Sequence, residues 1–164
     1  MNIIKAEIND LPAILSLQKL AFQSEAQLVN DYSIPPLTQT LEDITLYLNK
    51  GTILKAVEQD NPAKIIGSVR GHTSGNTLHI GRLIVDPLFQ NKGIGTALLL
   101  RIEAMFPSMR YELFTSDRSN RNLILYIKNG YKEFKREPFN EHVNLVFLEK
   151  YVSGDRDQVS LSPV

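Results

Sequence analysis

The sequence has no cysteine, no net charge and no long apolar run. Each absence removes a class of chemistry. Without cysteine there is no disulfide framework, no thiolate metal site and no covalent cysteine acyl intermediate, which fits a reducing compartment. Eighteen basic and 18 acidic side chains cancel. The basic excess of a nucleic-acid binder is missing, and no such partner is expected. No stretch approaches the roughly 20 apolar residues of a membrane helix, so no membrane partner is expected either. Met1-Asn2-Ile3-Ile4-Lys5 reads as a short strand rather than a secretory signal, and the expected location is cytoplasmic. The three histidines are scattered and the acidic residues lack calcium-loop spacing, so no metal is expected. No internal repeat and no low-complexity segment is present.

What is there is the composition of one soluble domain: 164 residues, 43% hydrophobic and 22% charged. Residues 2–8 alternate as a first strand. Asp10 is placed to cap a helix with Pro12 in its first turn. Leu11, Ile14, Leu15, Leu17, Leu20 and Ala21 give that helix a buried stripe, and Glu25 falls at its end. Pro35-Pro36 mark residues 30–39 as loop. Thr40 with Asp43 makes a variant capping box for a second helix, which Gly51 ends. Three β-rich runs, 52–58, 64–72 and 77–85, are separated by the turns Asp60-Asn61-Pro62 and Ser74-Gly75-Asn76. Residues 93–106 form a helix with Ile94, Leu98, Ile102 and Met105 on one face. A strand at 111–115, a helix from Arg121 to Asn129 and a hairpin of 131–136 with 143–151 complete residues 1–152, the domain. From Ser153 the chain is polar and without apolar period, so residues 153–164 are expected to be a mobile tail. The order β-α-α-β-β-β-α-β-α-β-β predicts an α/β (mixed α+β) fold. Its sheet of about seven strands is mixed, mostly antiparallel and flanked by four helices. The 77–85 and 111–115 strands should run parallel through a right-handed crossover.

The most informative stretch is Gln90-Asn91-Lys92-Gly93-Ile94-Gly95-Thr96, between the apolar run Leu83-Ile84-Val85 and a helix. Two glycines one residue apart let the backbone turn tightly. The first helical N–H groups then point outward at the positive end of the helix dipole, which suits a phosphate or pyrophosphate. The dinucleotide fingerprint does not fit, because Leu98 holds its third glycine position and the loop lies mid-chain. The Walker loop does not fit, because Lys92 precedes Gly93 and no Gly-Lys-Ser/Thr triplet follows. The remaining pattern, Q-x-x-G-x-G, is short, and an ordinary strand-to-helix turn accounts for it equally well.

Q-x-x-G-x-G resembles the acyl-CoA loop of the GCN5-related N-acetyltransferase (GNAT) family. A second stretch, Ser119-Asn120-Arg121-Asn122-Leu123-Ile124-Leu125-Tyr126-Ile127-Lys128-Asn129-Gly130-Tyr131, resembles the family's later signature. There a capped helix carries Leu-Tyr and ends at Gly-Phe or Gly-Tyr. Both stretches occur in the family's order, with a helix and a strand between them. The family's helix-start Asn falls at Ser119 when Leu125-Tyr126 is the anchor, with Asn120 one place later. The helix-start contact is therefore open between Ser119 and Asn120, and Asn122 also has the spacing to face a cofactor.

The resemblance implies acetyl-CoA as acyl donor, lying where the 77–85 strand splays from the 111–115 strand. Leu83, Ile84 and Val85 would pair with the pantetheine arm as with an added strand. The N–H groups from Gln90 through Asn91, Lys92, Gly93, Ile94 and Gly95 to Thr96 would hold the pyrophosphate. Lys92 reads equally as a solvated loop lysine. Tyr126 is the implied acid: a phenol near 10 facing a thiol near 8.5 is placed to protonate the departing sulfur. It also reads as an amphipathic tyrosine packed on the sheet. An attacking amine must be neutral, and Glu25, His79, Arg82 and Glu112 are the candidates for its base, none of them selected by the sequence. Each reads as well as a solvated or structural side chain. The implied oxyanion donor is the backbone N–H of Leu83 or Ile84. Tyr32, Ile34 and Phe139, with Pro35, Pro36 and His142 beside them, would line the acceptor site, which is partly aromatic and not strongly acidic.

The implied activity is N-acetyltransfer from acetyl-CoA to a primary amine, of a small molecule or a peptide, by direct attack in a ternary complex. The alternative is a non-catalytic acyl-CoA sensor, which needs the loop but not Tyr126. Family habit also implies a homodimer through the final hairpin.

Overall fold

Strands Asn2–Lys5 (β1), Thr52–Val57 (β2), Ile65–Ser74 (β3), Thr77–Val85 (β4), Arg110–Ser116 (β5), Lys132–Pro138 (β6) and Asn144–Tyr151 (β7) form one sheet. Its order is β1-β2-β3-β4-β5-β7-β6. This is a computed structural model, and it describes residues 1–151. The expected mobile tail at 153–164 lies outside them. Every neighbouring pair is antiparallel except β4 with β5, which is parallel as the crossover requires. Neighbouring residues of β2 enter different cores, Ile53 one and Leu54 another, as a strand's period of two demands.

The helices are Leu11–Ala21 (α1), Gln23–Val29 (α2), Pro35–Thr38 (α3), Leu41–Lys50 (α4), Ile94–Met105 (α5) and Asn120–Lys128 (α6). Among the described residues, six replace the four expected. The first helical run breaks at Phe22, whose ψ of 0° leaves the helical range, and resumes as α2, so Glu25 sits on its own short helix. The expected loop at 30–39 contains one helical turn. Pro35 and Pro36 start it, in positions where their missing N–H groups have no partner to lose. Asp10 does not cap α1 with its side chain. Its carboxylate accepts from the Glu7 N–H at 2.8 Å and pairs with Lys55 at 2.8 Å. Leu20, expected in the buried stripe, is 53% exposed. The Thr40–Asp43 box forms reciprocally, at 2.8 and 3.1 Å.

Helix α5 carries the main core. A Cβ on Gly67 or Gly71 of β3 would lie 3.0 Å from Leu98 Cδ1 or Ile102 Cδ1 respectively. Glycine at both positions lets the helix press directly onto the strand. Leu54, Val69, Leu78, Leu98 and Ile102 fill that contact. Leu11, Ile14, Ile44 and Ile53 make a second core with α1 and α4, and Ala26, Val29, Ile34 and Val143 a third beneath α2.

Candidate active site

Strands β4 and β5 pair only at Thr77–Arg110, Leu78–Tyr111 and His79–Glu112. Beyond that point β5 stays with β7 and β4 stays with β3, as far as Gly67–Val85. The edge of β4 from Ile80 to Val85 that faces β5 is left without a strand. Within it the chain bulges. Arg70 faces Gly81 and Ser68 faces Ile84, leaving Arg82 and Leu83 together opposite Val69. Arg82 adopts a φ of 48°. Such bulges re-aim side chains and end pairing.

The loop after β4 enters α5 through two left-handed residues, Asn91 (φ 63°) and Gly93 (φ 80°). The first bond back to Gly93 O comes from Ala97 N, at 3.0 Å. The N–H groups of Ile94, Gly95 and Thr96 therefore have no acceptor in the helix. They border a cleft of about 490 Å³, whose other walls include Leu83–Val85 of the open β4 edge and Arg121, Leu125 and Lys128 of α6. A Cβ on Gly95 would stand 3.6 Å from Leu125 Cδ2 and 3.8 Å from Val85 Cγ2, ordinary contact distances. The fold has room for alanine there, so glycine at 95 serves to keep the cleft floor bare.

A second cleft of about 260 Å³ adjoins the first, lined by Ile34, Pro36, Arg82, Phe114, Tyr126 and Phe139 among others. Phe22, Glu25, Leu83 and Asn122 border both clefts. Glu25 Oε1 accepts from Ser119 Oγ at 2.7 Å and from Asn122 Nδ2 at 3.1 Å. No hydrogen bond engages its Oε2 among the described residues. Tyr126 is buried on α6, the helix that carries Asn122 and that Ser119 immediately precedes. Burial first, then the negative charge of Glu25, push its pKa above the ordinary phenol range.

A profile of the acetyltransferase (GNAT) domain matches residues 49–133, more than half of the chain. The chain belongs to the GNAT acetyltransferase family. As such it is an acetyl-CoA-dependent acyltransferase. Solved GNAT-fold structures superpose on nearly all of it. The PaiA N-acetyltransferase of Thermoplasma acidophilum, in complex with coenzyme A, is 19% identical with a TM-score of 0.75, over 92% of this chain and 98% of that one. The ribosomal-protein-S18-alanine N-acetyltransferase of Escherichia coli is 15% identical with a TM-score of 0.75, over 93% and 94%. The yncA protein of Salmonella typhimurium, with its cofactor acetyl-CoA, is 16% identical with a TM-score of 0.69, over 92% and 93%. At these identities the likeness is one of fold. No curated protein sequence matches the chain.

In this GNAT acetyltransferase the two signature stretches meet across the first cleft. Gln90, Asn91, Gly93, Ile94, Gly95, Thr96 and Asn122 all border it, together with Leu83, Ile84 and Val85. Other expected site residues stand elsewhere. Lys92 is exposed, its ammonium 5.3 Å from the Phe89 ring. Ser119 is buried and engaged by Glu25, while Asn120 is exposed and borders neither cleft. His79 lies outside both, stacked on His72 at 5.2 Å and 3.6 Å from Glu112. Tyr32 is 57% exposed and does not reach the second cleft. Arg121 was not anticipated. It reaches from α6 to the Gln90 and Asn91 side chains and lines the first cleft. Its signal was present, since Arg121, Leu125 and Lys128 recur at the spacing of one helix face.

Proposed function

We propose that this acetyltransferase moves the acetyl group of acetyl-CoA to a primary amine held in the 260 Å³ cleft, by direct attack with both substrates bound. One observation carries the reading. Glu25, tethered through one oxygen, stands where the two clefts meet, and Tyr126 lies beside it.

Acetyl-CoA supplies an activated thioester: the ammonium first loses one proton to water through Glu25, the neutral nitrogen bonds to the acetyl carbon, the carbon–sulfur bond breaks, and the second proton, lost from nitrogen after attack, reaches the departing CoA thiolate through solvent. The free N–H groups of Ile94, Gly95 and Thr96 suit the pyrophosphate, with Arg121 and Lys128 adding positive charge. The open edge at Leu83–Val85 suits the pantetheine amides, and the Leu83 or Ile84 N–H suits an oxygen gaining charge. An aliphatic amine near 10.4 is mostly protonated at neutral pH. Glu25 draws that ammonium to the junction and passes its proton to water. Tyr126 has a narrower role than a free phenol would. Its raised pKa makes complete transfer to a thiolate near 8.5 uphill. It therefore keeps its proton and donates a hydrogen bond toward sulfur as charge grows there.

The test is CoA release over a panel of primary amines, with CoA affinity measured alongside. Amine-dependent release with a matching N-acetyl product is expected. A protein that binds CoA yet acetylates no amine overturns the reading.

A further inference from the structure

We propose that the acceptor carries a carboxylate on the same molecule as its amine, and that Arg82 binds that carboxylate in the second cleft. The inference rests on the acetyl-transfer reading of that site. Arg82 sits at the β4 bulge, half-buried, and borders the second cleft but not the first. Its Nε is shielded from solvent and has no hydrogen-bond partner among the described residues. Among the described residues no carboxylate pairs with its guanidinium. A half-buried cation with its Nε shielded in this way is costly unless something answers it.

The neighbours do not answer it. Arg70, across the ladder from Gly81, already lies over the Tyr47 ring at 4.1 Å and donates to Gln39 Oε1 at 3.3 Å. That same oxygen also accepts from Gln18 Nε2 at 2.8 Å. Burial first, then the Arg70 charge, pull the Arg82 pKa down to about 10, still well above neutrality, so it stays charged. The acid of the cleft, Glu25, is tied to α6 by Ser119 and Asn122 and borders the donor cleft as well. The second cleft therefore offers a carboxylate beside the donor, an unanswered guanidinium away from it, and Ile34, Pro36, Phe114 and Phe139 as apolar wall. A small amine with an apolar body and a carboxylate complements all three. Arginine's planar fork matches a carboxylate through two parallel hydrogen bonds.

The experiment compares amines in pairs with the same skeleton: leucine with 3-methylbutylamine, phenylalanine with 2-phenylethylamine, 6-aminohexanoate with hexylamine. In at least one pair the carboxylate-bearing member should show a kcat/KM about tenfold higher or more, and Arg82→Gln should bring that ratio near one. Arg82→Lys, which keeps the charge without the fork, should fall between. Equal rates in every wild-type pair overturn the proposal, as does a preference that survives Arg82→Gln. If no amine turns over, an amine-free probe decides. With CoA present, 3-phenylpropanoate should raise the melting temperature of the wild type and not of Arg82→Gln. That result upholds the carboxylate site while acetyl transfer falls, and no shift in the wild type sinks the site.

Discussion

Glu25 and Tyr126 act on each other before either meets a substrate. The carboxylate is one of two reasons the phenol holds its proton, burial being the larger. Their substitutions should nevertheless look different. Glu25→Gln keeps an oxygen to accept from Ser119 and Asn122 but loses the charge proposed to draw and deprotonate an ammonium. Its kcat/KM should fall about 10²-fold at neutral pH. The deficit should shrink as pH rises toward the amine's own pKa, near 10.4, because more acceptor is then neutral without help. Tyr126→Phe loses a hydrogen bond to sulfur, which no amine ionisation replaces, so its deficit in kcat should stay level over the same pH range. Paired pH–rate profiles check this. A Glu25→Gln deficit that is flat with pH would remove the proton-accepting role.

At the N-terminus of α5 the fold and the proposed diphosphate site make different demands on one residue. Glycine inside a helix costs roughly 0.5–1 kcal/mol against alanine, and position 95 has ordinary contact space for a Cβ. Gly95→Ala should therefore leave the melting temperature unchanged or higher while weakening CoA about tenfold or more, since the new methyl stands on the cleft floor. Calorimetric titration beside a melting curve separates the two effects. Unaltered CoA affinity would mean that the diphosphate does not lie there. This loop was legible in the sequence because everything it needs is local: two glycines, three successive N–H groups and a helix start. The Thr40–Asp43 box and the meander were legible for the same reason. The break at Phe22 was not, because phenylalanine is no helix breaker; its ring packs on the core of Ala26, Val29, Ile34 and Val143. That break turns α2 so that Glu25 reaches the cleft junction. The bulge at Arg82 was nearly as hidden. Gly81 stands beside it as a local hint, but the register shift itself comes from pairing with β3. The cofactor side could thus be read from neighbours in sequence, while the acceptor side depends on contacts between distant segments. Hence Tyr32, a pocket residue on sequence grounds, lies outside the second cleft, while Arg82 lines it.

Across the whole molecule, a sheet that parts along β4 and β5 must be held together by something other than its ladder. Three residue pairs join the halves, and α5 adds a further tie. One face of α5 lies on β3, while its buried Glu103 accepts from Tyr131 Oη and from Lys150 Nζ, both at 2.7 Å, the latter on β7. Tyr47 is buried on the opposite side of the sheet and bonds His72 Nδ1 at 2.9 Å. Burial raises the pKa of Tyr47 to about 12 and raises that of Tyr126 and Tyr131 as well, with Glu103 reinforcing the effect at Tyr131. The sign follows from linkage. An unfolded tyrosine ionises near 10, and these folded ones ionise higher. Above pH 10 the native state therefore binds more protons than the unfolded one. The stability they contribute is complete below pH 10 and is lost as pH climbs toward the folded values. These three groups should consequently leave the melting temperature level between about pH 8 and pH 10, and the protein should lose structure steeply above that. Of its six tyrosines, these three should ionise only with that collapse. Tyrosinate absorbance and far-ultraviolet ellipticity, followed together through the alkaline range, should show a late absorbance step coincident with unfolding. Complete phenol titration near pH 10 with the ellipticity intact would mean that Tyr47, Tyr126 and Tyr131 are not sealed inside the two faces of the sheet.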